Sequence, residues 1–329
     1  MSCQCLIRSL TVVVLVALAP ILALAQGELS RTAWGQPDLQ GVWDFRTITP
    51  MERPSELSAK EFLTDEEAAE LENIRATENA ARDGEEPADI VGNYNTFWFD
   101  RGDSVINTRR TSLVVDPPDG RIPPVTLEVE RRRAALAEAR SDTGPHEPIP
   151  GGWVDDLGSN GLQVRCITGF NSGPPMTPGG YNNNVQIFQT PDAVVLLNEM
   201  NHNFRVVPLD DRPHTGLRQW TGDSRGYWEG DTFVVETINF LRETSFMRGG
   251  SSADLRLTER FSRVSPDVLL YEVTVDDPTT WTRPWKYEVP LQLNTEPLYE
   301  YACHEGNYAM EVILAGARAK EAEVSSPSR

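Results

Sequence analysis

The sequence predicts a mainly β protein: an antiparallel β-barrel-like (lipocalin-like) or sandwich domain with short N-terminal helices. Two observations carry this expectation. From about residue 184 onward, short apolar runs alternate with turns rich in Gly, Pro and Asp, the pattern of antiparallel strands joined by tight connections. The predicted helices, by contrast, lie in segments before residue 141, so helices decorate the fold rather than build it.

The first 25 residues read as a secretory signal peptide. Arg8 gives the positive leader, the apolar run from Leu10 to Leu22 is short for a membrane span, and Ala23-Leu24-Ala25 offers a small-residue cleavage site before Gln26. Cys3 and Cys5 precede the apolar run, where a lipobox would not put them. The expectation is an exported protein, periplasmic or secreted, with no membrane span once the signal is removed. Residues 26–92 form an N-terminal extension with a helix, residues 93–320 a single β-rich domain, and residues 321–329 a flexible C-terminal tail.

Within the extension, Pro37 to Phe45 reads as a short strand-like entry. Thr64 followed by Asp65, Glu66 and Glu67 is an N-cap with an acidic first turn, and Ala68, Ala69, Leu71 and Ile74 continue at helical spacing. Residues 83–89 are an acidic loop. Val129 to Arg140 is a second helix, stopped by the Gly/Pro-rich stretch 144–152. The strands then follow: Val185–Gln189 and Ala193–Leu197 about the turn Thr190-Pro191-Asp192, Thr232–Thr237 after Glu229-Gly230-Asp231, Leu255–Val264 and Val268–Val275 about Ser265-Pro266-Asp267, Trp285–Leu293, and Leu298–Ala302.

The chain carries 30 Lys and Arg against 49 Asp and Glu, a net charge of −19. So acidic a surface repels phosphate backbones and anionic lipid, which argues against nucleic acid and membrane-surface partners and leaves a small molecule as the expected partner. Oligomeric state is not legible. Cys166 and Cys303 are the cysteines left after cleavage, and in an oxidising compartment a lone pair forms one disulfide. That bridge would tie the middle of the chain to its C-terminal motif.

Three of the four histidines sit among charged, aromatic and amide residues. Histidine titrates near neutrality and serves proton transfer or metal ligation. His202 lies in Glu199-Met200-Asn201-His202-Asn203-Phe204-Arg205, His214 follows Arg212-Pro213, and His304 lies in Tyr301-Ala302-Cys303-His304-Glu305-Gly306-Asn307-Tyr308. The expected catalytic set is His202 or His304 as base, Arg205 as anion holder, and Glu305 or Tyr308 as acid. His214, Trp220, Asp223, Glu199 and Tyr301 are the expected substrate-binding residues. Each histidine also has a plain structural reading as a hydrogen-bonding residue, and the tryptophans are core aromatics first. No metal site is expected: the spacing of His202 and His214 matches no compact zinc motif, although three histidines meeting in space could hold zinc. No G-x-S-x-G nucleophile elbow stands at a strand-to-helix turn, and no cofactor is expected, because there is no G-x-G-x-x-G opening a helix and no P-loop. The composite expectation is a small-molecule enzyme using general acid–base chemistry, a lyase or hydrolase. The alternative is a lipocalin-like binder of small hydrophobic or aromatic ligands without catalysis.

Several runs are similar to an exported bacterial family usually labelled hypothetical, common in Acidobacteria and some Proteobacteria. They are Arg109 to Pro123 (RTSLVVDPPDGRIP within it), Tyr181 to Asn184 with Gln186-Ile187, Glu199 to His214, Arg218 to Arg225 continuing through Trp228-Glu229-Gly230-Asp231-Thr232, Glu259-Arg260-Phe261, Thr274 to Pro278, and Tyr299 to Tyr308. The resemblance covers most of residues 93–320. It implies an exported single domain and brings no reaction with it. Members carry a histidine where this chain has Arg256, so a site assigned in one of them transfers here only with that difference.

Overall fold

The computed structural model describes residues 29–83, 99–100, 102–141, 152, 154, 161–243, 246 and 250–325. The signal peptide, residues 84–89 of the acidic loop, most of the Gly/Pro-rich stretch and His146 lie outside the described residues.

The fold is mainly antiparallel β, as the sequence predicts. Strand β1 (Gly41–Asp44) opens the chain, and α1 (Asp65–Asp83) follows. Thr64 and Glu67 cap α1 reciprocally: the Glu67 N–H donates to Thr64 Oγ1 (3.3 Å) and the Thr64 N–H to Glu67 Oε2 (2.8 Å). Next come β2 (Val114–Asp116), α2 (Leu127–Ala139), whose start is capped by Thr126, and the single turn α3 (Gly161–Val164). The remaining strands run in close succession: β3 (Asn184–Gln189), β4 (Ala193–Asn198), β5 (Phe204–Pro208), β6 (Asp223–Glu229), β7 (Thr232–Ile238), β8 (Arg256–Ser265), β9 (Val268–Asp276) and β10 (Trp285–Asn294).

Three differences from the sequence reading have physical reasons. Residues 298–302 form no strand; with Glu296, Pro297 and two glutamate-flanked tyrosines they have no alternation to place on a sheet. Helix α4 (Ala309–Ser325) runs into the stretch expected to be a tail, because Ala, Met, Leu, Glu and Lys are strong helix formers. Strands β5 and β6 fall outside the predicted strands; in β6 the inner face carries Ser224 and Gly226 before its one large apolar side chain, Trp228.

The sheet order is β5-β4-β3-β1-β10-β9-β8-β7-β6, with β2 pairing β10 beside β1. Every pairing along that path is antiparallel. The two end strands β5 and β6 come into contact, yet no ladder joins them, so the sheet is rolled without being closed. Strand direction alternates along a path of nine strands, so the end strands point the same way and only a parallel ladder could close them. They approach closely at Gly226: a Cβ there would stand 2.7 Å from Val207 Cγ1.

Inward residues at period two fill the interior. Trp43, Val185, Ile187, Leu196, Phe233, Phe261, Tyr271, Trp285, Tyr287 and Leu291 are all fully buried in one core. The same alternation of direction sends the β4–β5 turn, the start of β6 and the starts of β8 and β10 to one end. The segment between Cys166 and Asn183 covers that end and reaches the core through Met176, whose N–H donates to Tyr271 Oη (3.0 Å) and whose carbonyl accepts from Tyr287 Oη (2.7 Å). Cys166 is bonded to Cys303, which anchors the C-terminal segment at the same end.

Candidate functional site

The expected site residues fall into three groups at the covered end, plus one residue inside. The first group follows β4. Met200–His202 form a tight turn in which Asn201 (φ 55°) and His202 (φ 41°) both take left-handed backbone, a conformation asparagine tolerates better than most residues. The turn is fixed from below: Asn203 Oδ1 accepts from the Gly169 N–H (2.8 Å) and Ser172 Oγ (2.9 Å). Glu199 is half-buried and accepts from Asn184 Nδ2 (2.8 Å), while His202 is exposed.

The second group joins His214, Trp220 and Asp223 in and after the β5–β6 connection. Asp223 is buried and well supplied with donors: the Thr215 N–H (2.6 Å), Thr215 Oγ1 (3.1 Å) and the Arg225 guanidinium (2.9 Å). His214 Nδ1 lies 3.6 Å from Asp223 Oδ2, beyond hydrogen-bond length in this state. Trp220 is half-buried.

The third group is the C-terminal motif. The Tyr301 ring stacks on Tyr181 with centroids 6.3 Å apart, and Asn307 Nδ2 donates to Val164 O (3.3 Å) beside the disulfide. His304, Glu305 and Tyr308 are exposed. Among the described residues, no hydrogen bond or ion pair joins His202, His214 and His304 to one another, and no group of three His, Cys, Asp or Glu side chains is arranged to hold a metal ion.

Arg205 is the residue inside. It points from β5 into the core and forms a two-pronged ion pair with Glu259 of β8, Nη1 to Oε2 at 2.6 Å and Nη2 to Oε1 at 2.8 Å. Arg205 is 6% exposed and Glu259 0%. Tyr271 Oη donates to Glu259 Oε1 (2.6 Å), so the carboxylate has three donors. Burial works against the Arg205 charge, but the Glu259 carboxylate more than offsets it and the guanidinium pKa ends above its ordinary value. Burial, then the same carboxylate, pushes the Tyr271 phenol well up, which keeps it a donor. Nothing in the sequence pairs Arg205 with Glu259, 54 residues away.

The concave surface lies elsewhere, outside the sheet. A cleft of about 540 Å³ runs between the arm that follows β1, helix α1 and the covering segment, with Ile48, Met51, Glu52, Phe170 and Thr177 in its walls. A second cavity of about 270 Å³ adjoins it, sharing Ile48, Thr49, Pro50 and Arg75. Sequence reasoning passed over these residues because no motif marks them. The usable signal was the solvent side of α1, where Leu71 and Ile74 repeat at helical spacing.

The chain matches no family model, no curated protein and no solved structure. Among the described residues no helix is long and apolar enough to cross a membrane. The Cys166–Cys303 disulfide fits an oxidising compartment.

Proposed function

We propose that this is an exported protein that binds a small organic molecule in the cleft between the arm, α1 and the covering segment. The observation that supports this most directly is the cleft itself: about 540 Å³ whose wall mixes apolar side chains, Ile48, Met51, Leu113, Ile122 and Phe170, with polar ones, Thr47, Thr49, Glu52, Arg75 and Thr177. Concave sites that join apolar walls to polar groups are where small ligands bind. The interior of the sheet is filled by aromatic and aliphatic side chains, so this reading puts the ligand on the flank of the sheet and not inside it.

Ile48 lines both cavities and is half-buried. Ile48→Asp is therefore expected to abolish binding of a neutral apolar fluorophore such as N-phenylnaphthylamine, while the thermal midpoint moves by only a few degrees. Undiminished fluorophore binding by this variant would remove the cleft from consideration.

A second reading, an acid–base enzyme, is favoured by His214 beside a buried, multiply held carboxylate. Asp223 could orient His214 through Nδ1 and leave Nε2 to take a proton, and such contacts often tighten only when substrate is bound. On a substrate found by screening, His214→Asn would lower kcat at least a hundredfold with KM little changed; equal turnover by the variant would dismiss this reading.

A further inference from the structure

The two sulfurs of the Cys166–Cys303 bridge have unlike surroundings. Cys166 follows the single turn α3 and is 8% exposed. Cys303 is half-buried, in a stretch where Ala302, His304, Glu305 and Gly306 are all exposed. An incoming thiolate therefore reaches Cys303 Sγ more readily, and Cys166 is the sulfur that leaves. That sulfur has a donor in place. Asn307 Nδ2 lies 3.1 Å from Cys166 Sγ and 3.3 Å from the Val164 carbonyl oxygen, so each amide hydrogen has an acceptor. Asn307 Oδ1 in turn accepts from the Ala309 N–H (3.1 Å) at the start of α4, which fixes the amide from its other side. Disulfides exchange fastest where the attacked sulfur is accessible and the departing thiolate is stabilised. Closing a loop for stability requires neither feature.

We propose that this bridge is a thiol-exchange site for a dithiol reductant, and that opening it loosens one wall of the cleft. The first thiolate of the reductant attacks Cys303 Sγ. The Cys166–Cys303 bond breaks, a mixed disulfide forms on Cys303, and Cys166 departs as a thiolate that keeps the Asn307 donor. The second thiolate of the reductant then attacks the reductant's own sulfur in the mixed disulfide and releases Cys303. Both cysteines are reduced, the dithiol is oxidised to its disulfide, and its two protons end on the cysteines. The link to the cleft is aromatic. Tyr301, two residues before Cys303, stacks on Tyr181, and Tyr181 meets Phe170 edge-on with centroids 5.2 Å apart. Phe170 is part of the cleft wall. The coupling to binding rests on the cleft reading above, whereas the exchange chemistry does not.

Brief treatment of the oxidised protein with glutathione, an acid quench and alkylation of free thiols, followed by peptide mass spectrometry, locates the attack. The adduct is expected on Cys303 over Cys166 by about tenfold. Dithiothreitol should then open the bridge while the circular dichroism of the sheet persists, and N-phenylnaphthylamine should bind about threefold or more weakly to the reduced protein. Asn307→Leu, which keeps the bulk and removes the donor, should slow reduction by about threefold or more. An adduct chiefly on Cys166, reduction only where the sheet unfolds, or an unchanged rate in Asn307→Leu overturns the exchange site. Reduction with unchanged fluorophore affinity overturns the coupling. An oxidised protein that binds no fluorophore sinks the cleft reading and the coupling with it, while an adduct on Cys303 still upholds the exchange site.

Discussion

Arg205 shows how a residue read for its charge acquires its meaning from what it meets. The sequence gives it an anion to hold, and within the fold Glu259 is the anion it holds, at 2.6 and 2.8 Å. Removing one member of such a buried pair leaves the other charge stranded, at a cost of about 3–5 kcal/mol. Arg205→Ala and Glu259→Ala should each lower the unfolding free energy measured by urea denaturation by that much. Arg205→Met combined with Glu259→Leu should lose less than either single change, since no buried charge remains. Losses that simply add in the double variant would show that the two side chains contribute independently.

At the scale of elements, the seam between β5 and β6 is the least regular part of the sheet. Gly226 permits it: a Cβ would also meet Phe233 Cε2 at 2.8 Å, from the strand that pairs with β6. Gly226→Ala is expected to destabilise by about 1–3 kcal/mol, the usual range for overpacking, visible as a lower thermal midpoint. An unchanged midpoint would mean that the two strands part without cost. The same seam explains why β5 and β6 were hard to read. Strands β8 and β9 alternate cleanly, with Leu257, Glu259 and Phe261 against Leu269, Tyr271 and Val273 inward, and the polar Glu259 alone breaks the apolar set. In β6 the inner positions are Ser224, Gly226 and Trp228, so hydrophobic periodicity has a single residue to register. Helix α4 carries its sequence signal in its helix-forming residues rather than in an alternating pattern.

For the molecule as a whole, the long-range tie is the Cys166–Cys303 bridge, spanning 137 residues. A loop of that length constrains the unfolded chain by about 4–5 kcal/mol in the chain-entropy model. Cys166→Ser with Cys303→Ser should lose that stability to denaturant, with the wild type losing the same amount under reductant. Equal stability in all states would mean that the bridge closes a loop already restricted in the unfolded chain. The bridge also holds Tyr301 near Tyr181 and brings His304 to the covered end, so the C-terminal motif owes its place to a bond the cysteine count foretold.

Local patterns settled most of the antiparallel strands, their hairpin turns, the Thr64 N-cap and the cysteine pair, because each depends on neighbours a few residues apart or on there being a single possible partner. The contact between the sheet ends, the Glu259 partner of Arg205, the entry of Met176 into the core and the cleft beside α1 depend on strand order. Met176 and Tyr271 lie 95 residues apart in the chain, and a side-chain period of two says which face a residue takes without saying which distant strand it will face. The candidate ligand site is therefore a property of how the arm, α1 and the covering segment pack around the sheet, where wall residues from separate stretches of chain are brought side by side.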